Sequence, residues 1–277
     1  MGYMRFNYRS QELGRYVDIS IVYPTDRYTY APQKFGHNPA GILKFQPYEK
    51  GMKFRTVYLI HGGGDDDTTI YLKTNAERYA SENNLMLVSP NITNSFGVDT
   101  AYNVRYQSFL AKELPVVIRS LFASSDARED NYIVGYAMGG NVALASAAMN
   151  PHLYSKCFDI SGGIGMTFNT DTLKKELNSE HFRKNFNLYN ATFGEAEGII
   201  GSRFDLYSQV EKGLSEGIQY PEFTIMCGNK EFIRERVESD YNTMKEMGLN
   251  VKYECWEGYD HDFEFWDACL KEVFRRL

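Results

Sequence analysis

The sequence predicts an α/β fold, built on a mostly parallel, twisted β-sheet with helices on both faces. Apolar runs typical of strands are separated by helical patterns through the later part of the chain. This alternation is typical of βαβ units, whose strands are parallel. The 277 residues are a length that α/β folds often reach as one unit, so we expect a single domain over residues 1–277.

Seven apolar or alternating runs predict the strands: RYVDISIVYP (15–24), RTVYLIHG (55–62), LMLVSP (85–90), NYIVGY (131–136), KCFDISG (156–162), EFTIMCG (222–228) and VKYECWEG (251–258). No helical pattern follows the first run, so we expect it to begin an antiparallel edge. Helical patterns predict the helices 70–82, 103–122, 138–149, 231–247 and 262–276.

Residues 163–220 break the alternation of strands and helices. They contain two short helical pieces, TDTLKKELN and DLYSQVEKGL. A long excursion between two core strands is typically a functional insertion, and here its position would let it cover a site at the carboxyl ends of the strands. The insertion also carries aromatic residues, which are Phe168, Phe182, Phe186, Tyr189 and Phe193.

Composition excludes several classes of protein. The net charge of -6 comes from 36 acidic and 30 basic residues without a basic run, so nucleic acid is not expected as a partner. No stretch reaches the roughly 18 apolar residues that span a bilayer, and the start lacks the apolar core of an export signal. We therefore expect a soluble, cytoplasmic protein without a membrane partner, although a removed signal would leave no trace.

The four cysteines indicate neither a metal site nor a redox motif. Cys157, Cys227 and Cys255 fall in predicted strands, and Cys269 falls in the last predicted helix. They form no CxxC pair, so we expect reduced thiols in the core, no metal and no cofactor. Association into a homo-oligomer is left open.

The stretch GYAMGG follows the predicted strand NYIVGY and precedes a helix. With serine in place of Ala137 it would match the G-x-S-x-G nucleophile elbow, in which a sharp turn exposes the attacking residue. Side chains at Gly135 or Gly139 would clash with the neighbouring strand and helix. The N–H of Met138 would then face a developing oxyanion. An ordinary strand-to-helix turn would fit the bare glycine spacing as well.

A second glycine turn, HGGGDDD, follows an earlier strand. The N–H of Gly63, with Gly62 or Gly64 nearby, is placed to supply a second oxyanion donor. We expect His61 to have a structural role at the strand end. The aspartates that follow predict a helix N-cap with solvated neighbours, and their charge would disfavour strongly anionic substrates; they are Asp65, Asp66 and Asp67.

A histidine and an acid complete the constellation. His261 follows the last strand and precedes the terminal helix, where a catalytic base would stand in the chain order nucleophile, acid, histidine. Glu231 follows the strand between them, although a glutamate there could simply favour the helix dipole. Asp260 and Asp262 lie too close to the histidine in sequence for easy triad geometry, so they rank below Glu231.

Together these segments resemble the esterase D branch of the α/β-hydrolases. That group includes bacterial tributyrin esterases, S-formylglutathione hydrolases, and the acetyl and feruloyl esterases of carbohydrate esterase family 1. The resemblance runs from about residue 5 to the end and is weakest over 163–220. The residues that carry it are YLIHGGG, NSFGVDTAYNVRYQSFLAKELPVVIRSLF, GYAMGGNVAL, CGNKEF and GYDHDFEFW. The second segment is the most distinctive, with Phe96, Asp99, Tyr102 and Tyr106 ahead of ELP (113–115).

The resemblance implies an α/β-hydrolase fold and a serine hydrolase, in which serine attacks the ester carbonyl, histidine acts as base and then acid, and a carboxylate orients the histidine. The positions carried over are Ala137 for the nucleophile, His261 for the base, Glu231 for the acid, and Gly63 and Met138 for the oxyanion donors. The acid is usually aspartate in this family, and the nucleophile is missing here. Substrate contacts are expected among Gly64, Phe96, Asp99, Tyr102 and Trp256.

By this resemblance we expect acetyl or hydroxycinnamoyl esters on plant polysaccharide fragments as substrates. A small-molecule carboxylesterase or an S-formylglutathione hydrolase-like thioesterase is the alternative. Ala137 has two explanations: an engineered replacement of serine, which we prefer because the rest of the site survives, or a natural non-catalytic protein that uses the pocket for binding.

Overall fold

The computed structural model contains one eight-stranded sheet in the described part of the chain. The strands are β1 (Gly2–Arg9), β2 (Tyr16–Tyr23), β3 (Arg55–Ile60), β4 (Leu85–Pro90), β5 (Asn131–Tyr136), β6 (Lys156–Ile160), β7 (Glu222–Gly228) and β8 (Val251–Trp256). The structure describes residues 1–24, 50–163 and 198–277, together with 167–169, 171, 174, 175, 178, 180 and 191–194.

The strand order is β1-β2-β4-β3-β5-β6-β7-β8. The pairs from β4 through β8 are parallel, whereas β2 pairs antiparallel with both β1 and β4. The predicted mostly parallel sheet is confirmed. The expected antiparallel edge is confirmed, since β2 pairs antiparallel with β4, but a strand that was not predicted, β1, lies outside β2 and covers its free side. Its mixed residues GYMRFNYR give a half-exposed strand, with no clear apolar run to detect.

The helices connect the strands in the expected order, with α1 and α2 between β3 and β4 and α5 directly after β5. They are α1 (Thr69–Lys73), α2 (Ala76–Asn83), α3 (Tyr106–Ser108), a π-helical turn (Phe109–Glu113), α4 (Leu114–Leu121), α5 (Met138–Met149), α6 (Leu206–Ser215), α7 (Arg234–Glu246) and α8 (Phe263–Arg275).

Three predicted helices differ from the structure by a break or by a displaced start. The helix expected at 70–82 is two helices, because Thr74 has an extended backbone and bonds back to the Ile70 carbonyl. The helix expected at 103–122 starts at Tyr106 and passes through a π turn just ahead of Pro115, a residue that cannot donate a backbone bond. The helix expected at 231–247 starts at Arg234, so Glu231 lies in the turn before it.

Two hydrophobic clusters cover the two faces of the sheet. One contains side chains from α4, α5, α6 and α7, and the other contains side chains from α1, α2 and α8. Alternate residues of β3 enter each cluster, with Tyr58 in the first and Val57 in the second. Helix α5 is apolar all round and almost wholly buried, as expected for a helix enclosed by the core.

The carboxyl ends of the parallel strands lie at one edge of the sheet. The turn HGGG follows β3, the turn at Ala137 follows β5, and Ser161 follows β6. Glu231 follows β7 and His261 follows β8. Open α/β sheets bind ligands at this edge, so the topology alone gathers segments that are distant in sequence.

The cysteines are all reduced, but one departs from the expected burial. Cys157, Cys227 and Cys269 are buried, whereas Cys255 is exposed. Cys255 lies on β8, which is an edge strand with a half-exposed pattern, so alternate side chains face outward. No helix among the described residues is long and apolar enough to cross a membrane.

Candidate active site

Ala137 has the backbone conformation of a strained turn. Its φ of 50° and ψ of -127° place it between β5 and α5 in a region that costs a non-glycine residue about 1–3 kcal/mol. Two backbone hydrogen bonds hold it there. Its N–H donates to the Ile160 carbonyl at 2.9 Å, and its carbonyl accepts from the Gly140 N–H at 2.9 Å. The strain is therefore imposed by the packing of strand against helix.

The glycines around Ala137 are required by close approach. A methyl group on Gly135 would lie 1.9 Å from the Gly139 carbonyl oxygen, and one on Gly139 would lie 2.3 Å from the Ile60 carbonyl oxygen. These contacts are with backbone atoms, which cannot move aside. The expected clashes are thus seen at both positions: Gly135 lies against the helix and Gly139 lies against strand β3. Only glycine fits at either position.

The HGGG turn packs directly against Ala137. A methyl group on Gly62 would lie 3.3 Å from the Ala137 Cβ, and one on Gly63 would lie 3.8 Å from the Met138 Cβ. Met138 is the first residue of α5, where backbone N–H groups have no partner within the helix. Gly63 and Met138 are therefore brought together on two sides of the turn.

Two side chains fix the HGGG turn from outside. Asn94 Oδ1 accepts from the Gly64 N–H at 2.7 Å, where Gly64 has a φ of 83° that favours glycine. Asp65 accepts from the Tyr136 hydroxyl at 2.8 Å. Burial, and then the charge of Asp65, raise the pKa of Tyr136, so this phenol stays a donor. Neither Asn94 nor Tyr136 was expected from the sequence.

The other residues of HGGGDDD have structural contacts. His61 is buried; its Nε2 accepts from the Ile92 N–H at 3.0 Å and its Nδ1 donates to the Gly62 carbonyl at 2.7 Å. Burial lowers the pKa of His61, so the neutral imidazole persists. Asp66 accepts from the N–H groups at the start of α1. Asp67 was expected to be solvated and is instead fully buried, because Arg5 forks onto it with two bonds of 2.8 Å.

Glu231 and His261 meet across the carboxyl ends of β7 and β8. Glu231 Oε2 lies 2.8 Å from His261 Nδ1, and the glutamate side chain is completely buried. The neighbouring aspartates are engaged elsewhere. Asp260 accepts from the His261 backbone N–H at 2.8 Å, and Asp262 caps α8 by accepting from the Phe265 N–H at 3.1 Å. The acid nearest the imidazole is therefore Glu231.

Aromatic rings enclose His261 on two sides. Phe232 stands edge-on at 5.2 Å between ring centroids and is 75% exposed, while Trp266 stands perpendicular at 5.1 Å. Trp266 also lies 4.8 Å from Tyr136, the residue before Ala137. One indole thus contacts both the imidazole and the end of β5. The signal that could have found Trp266 is its place one turn beyond the histidine in HDFEFW.

The expected substrate contacts are spread over different environments. The Trp256 ring packs on Tyr259 and Phe265, each at 5.9 Å between ring centroids. Among the described residues it is not one of the rings that contact His261. Tyr102 is 74% exposed, on the turn ahead of α3. Among the candidates, only Gly64 lies in the turn that packs on Ala137.

The remaining two candidates support neighbouring elements. Asp99 accepts from the Ser108 N–H at 2.9 Å and from its hydroxyl at 2.7 Å, which anchors α3. Phe96 is buried with a φ of 53°. The adjacent Gly97 approaches α5 so closely that a methyl group there would lie 2.2 Å from a Val142 methyl. This loop therefore packs against the helix that follows Ala137.

Part of the predicted insertion over 163–220 falls outside the described residues, including the expected aromatics Phe182, Phe186 and Tyr189 and most of the piece TDTLKKELN. The piece DLYSQVEKGL does form α6, with Asp205 as the side-chain cap. Phe168 and Phe193 are buried in the larger core cluster. Within the described ranges, no group of three or more His, Cys, Asp or Glu side chains could hold a metal ion.

Residues 41–277 match the family model "Putative esterase". The chain belongs to this esterase family. It is 25% identical over 275 residues to an acetyl esterase of Caldicellulosiruptor saccharolyticus, a match that covers 99% of this chain and 97% of the relative.

Two solved structures from Staphylococcus aureus share the fold. The fluorophosphonate-binding serine hydrolase FphF, solved with substrate bound, matches at 24% identity with a TM-score of 0.80, over 99% of this chain and 97% of that one. An S-formylglutathione hydrolase, FrmB, matches at 24% identity with a TM-score of 0.76, over 99% and 98%. The chain has an α/β-hydrolase fold, and its family is one of carboxylic ester hydrolases.

Proposed function

We propose that this chain is a serine carboxylic-ester hydrolase whose nucleophile has been replaced by Ala137. The observation that carries the proposal is the backbone of Ala137, held at a φ of 50° and ψ of -127° in a turn whose glycines leave no room for side chains. That turn is what a nucleophile elbow requires. The Glu231–His261 pair at the same edge of the sheet supports it.

Each remaining residue has a role in this proposal. Glu231 occupies His261 Nδ1, which leaves Nε2 to take the proton of a serine hydroxyl at position 137. The hydroxyl oxygen attacks the ester carbonyl, and the N–H groups of Gly63 and Met138 donate to the oxyanion. His261 returns the proton to the leaving alcohol. Water then cleaves the acyl-enzyme by the same steps and releases the acid.

With alanine at position 137 no acyl-enzyme can form. A methyl group has no lone pair, so the chain would keep ligand binding and the oxyanion donors but not turnover. We attribute Ala137 to an engineered replacement of serine. The survival of the strained turn, the glycines and the buried acid supports this over a natural non-catalytic protein.

For the substrate we propose acetyl or hydroxycinnamoyl esters of plant polysaccharide fragments. The relative named as an acetyl esterase supports the acetyl group, and the exposed ring of Phe232 beside His261 offers a surface for an aryl or sugar group. A thioester substrate is the second candidate, favoured by the likeness to an S-formylglutathione hydrolase. A small ester or oligosaccharide ester would be the only partner required.

The first experiment restores the hydroxyl. Ala137→Ser should hydrolyse 4-nitrophenyl acetate with a kcat/KM about 10⁴-fold or more above the chain as it stands. The matched control is Ala145→Ser, which adds the same hydroxyl inside α5, the helix that follows position 137, and should stay at background. A folded Ala137→Ser protein without activity would contradict the proposal and favour the alternative, a natural non-catalytic binding protein.

The second experiment assigns the substrate. The serine form is tested on methyl ferulate, acetylated xylo-oligosaccharide, tributyrin and S-formylglutathione. The highest kcat/KM on the acetylated or feruloylated substrates supports the proposal. Preference for tributyrin indicates a small-molecule carboxylesterase, and hydrolysis of S-formylglutathione alone overturns the polysaccharide ester.

A further inference from the structure

Ser161 occupies an unusual backbone position at the end of β6. Its φ is 59°, which is uncommon for a residue other than glycine, and it is fully buried. Its N–H donates to the Met226 carbonyl on β7 at 2.8 Å. The left-handed turn therefore directs the Ser161 side chain toward the segment that carries the acid.

The Ser161 hydroxyl has two hydrogen-bond partners. It donates to Glu231 Oε1 at 2.7 Å and accepts from the Trp266 indole N–H at 3.1 Å. The Gly228 N–H donates to the same Oε1 at 2.7 Å, while Oε2 lies at His261. Both carboxylate oxygens are thereby engaged in hydrogen bonds.

Glutamate needs such restraint more than aspartate would. Its side chain has one more rotatable bond, so holding it in one rotamer costs more conformational entropy. A buried carboxylate also loses its hydration, which only hydrogen bonds or a charge partner can replace. Ser161 and Gly228 supply these bonds on the side away from the imidazole.

Trp266 acts on the other member of the pair as well. Its ring stands perpendicular to the His261 imidazole at 5.1 Å, while its N–H reaches Ser161. The indole is 7% exposed and is clamped against Tyr136 at 4.8 Å. A single rigid side chain thus fixes the imidazole by packing and the carboxylate through one hydroxyl.

We propose that Ser161 and Trp266 are positioning residues that hold Glu231 and His261 in one geometry, an inference that rests on the proposed function. In this proposal they act through the acid and the base and not on the substrate itself. Their effect should therefore fall on kcat and leave KM in place.

The first test uses the chain with Ala137 and does not depend on activity. The low-field ¹H resonance of the His261 Nδ1 proton reports its bond to Glu231. Ser161→Ala, Ser161→Gly and Trp266→Phe should each move this resonance upfield or lose it to exchange with water. The control is Ser89→Ala on β4, which removes a buried hydroxyl that lies 2.7 Å from the Tyr71 hydroxyl. This variant should leave the resonance unchanged.

The glycine variant separates the hydroxyl from the backbone. Glycine adopts the φ of Ser161 without strain, so a resonance changed in Ser161→Ala but kept in Ser161→Gly would assign the effect to the backbone and overturn the proposal. A resonance that stays at the control position in both variants overturns it too. Trp266→Phe keeps the ring packing, so no change in that variant would remove Trp266 from the proposal.

The second test repeats the variants in the Ala137→Ser protein. The loss of one hydrogen bond to a buried carboxylate should lower kcat by about 10-fold or more at constant KM. A rise in KM with kcat kept would overturn the positioning role. If the serine form is inactive, the proposed function fails, and the ¹H resonance still decides the roles of Ser161 and Trp266.

Discussion

The strain at Ala137 can be measured by comparing two alanine-to-glycine substitutions. Ala137→Gly removes a methyl group that is 6% exposed and relieves the positive φ. Ala145→Gly removes a methyl group that is 2% exposed from the interior of α5, where the backbone is regular. The two variants differ mainly in whether the parent alanine is strained.

The expected magnitudes follow from three contributions. Both variants lose a buried methyl group, at about 0.8 kcal/mol, and both gain unfolded-state entropy, at about 0.5–1 kcal/mol. Ala145→Gly should therefore destabilise the fold by about 1.5 kcal/mol. Ala137→Gly also recovers about 1–3 kcal/mol of strain, which brings its net effect near zero.

The assay is the difference in melting temperature between the two variants. In a chain of 277 residues, each kcal/mol corresponds to about 2 °C, so Ala137→Gly should melt about 2–6 °C above Ala145→Gly. Denaturant midpoints at equal m-values give the same comparison. If Ala137→Gly melts at or below Ala145→Gly, the turn stores no strain and the reading of it as a nucleophile elbow loses its physical basis.

Three further substitutions test other parts of the site. Gly63→Ala should melt like the parent, since the added methyl meets no atom closer than 3.8 Å. In the Ala137→Ser background it should lower kcat/KM by about 10²-fold by crowding the oxyanion position. Because alanine keeps the backbone N–H, equal activity would show that the Gly63 Cα does not face the oxyanion. Phe232→Ala, at a side chain 75% exposed, should leave stability unchanged and raise KM for methyl ferulate more than for 4-nitrophenyl acetate; an equal change in both would argue against an aryl contact. Asp159 is buried, and burial followed by the charge of Asp240 holds its pKa well above the usual range. The native state thus keeps a proton that the unfolded chain releases above a pH of about 4, so stability falls as pH rises from there toward the folded pKa. Asp159→Asn should raise the melting temperature at pH 8 and converge with the parent near pH 4, and a lower value at pH 8 would contradict this sign.

The sequence could predict the strands that carry the site because those strands are buried on both faces. Runs such as NYIVGY and EFTIMCG are apolar throughout, and each ends in turn residues at the same edge of the sheet. Strand β1 was missed because its alternation is diluted by polar residues that face solvent. The predicted helix ends were wrong where the backbone conformation of one residue ends the helix, as the extended conformation of Thr74 does.

For the candidate site as well, the sequence could predict some residues and not others. Chain order and glycine spacing suffice to place Ala137, Glu231 and His261 at one edge, because parallel topology fixes which turns are neighbours. The residues that hold them could not be found by that route. Ser161 and Trp266 belong to no motif. Their contacts depend on the left-handed backbone of Ser161 and on which face α8 turns toward the site, and local sequence patterns encode neither.

The alanine is best understood from what surrounds it. Without a nucleophile, the turn still holds a strained residue, and Glu231 is still buried as a carboxylate that needs Ser161, Gly228 and His261 to replace its hydration. A strained backbone and a desolvated carboxylate each cost stability, so a fold retains them where function requires them. A binding protein needs neither, whereas a serine esterase needs both, so the surroundings of Ala137 fit an enzyme altered at one position. A serine codon at position 137 in the source genome would support that history, and an alanine codon would contradict it.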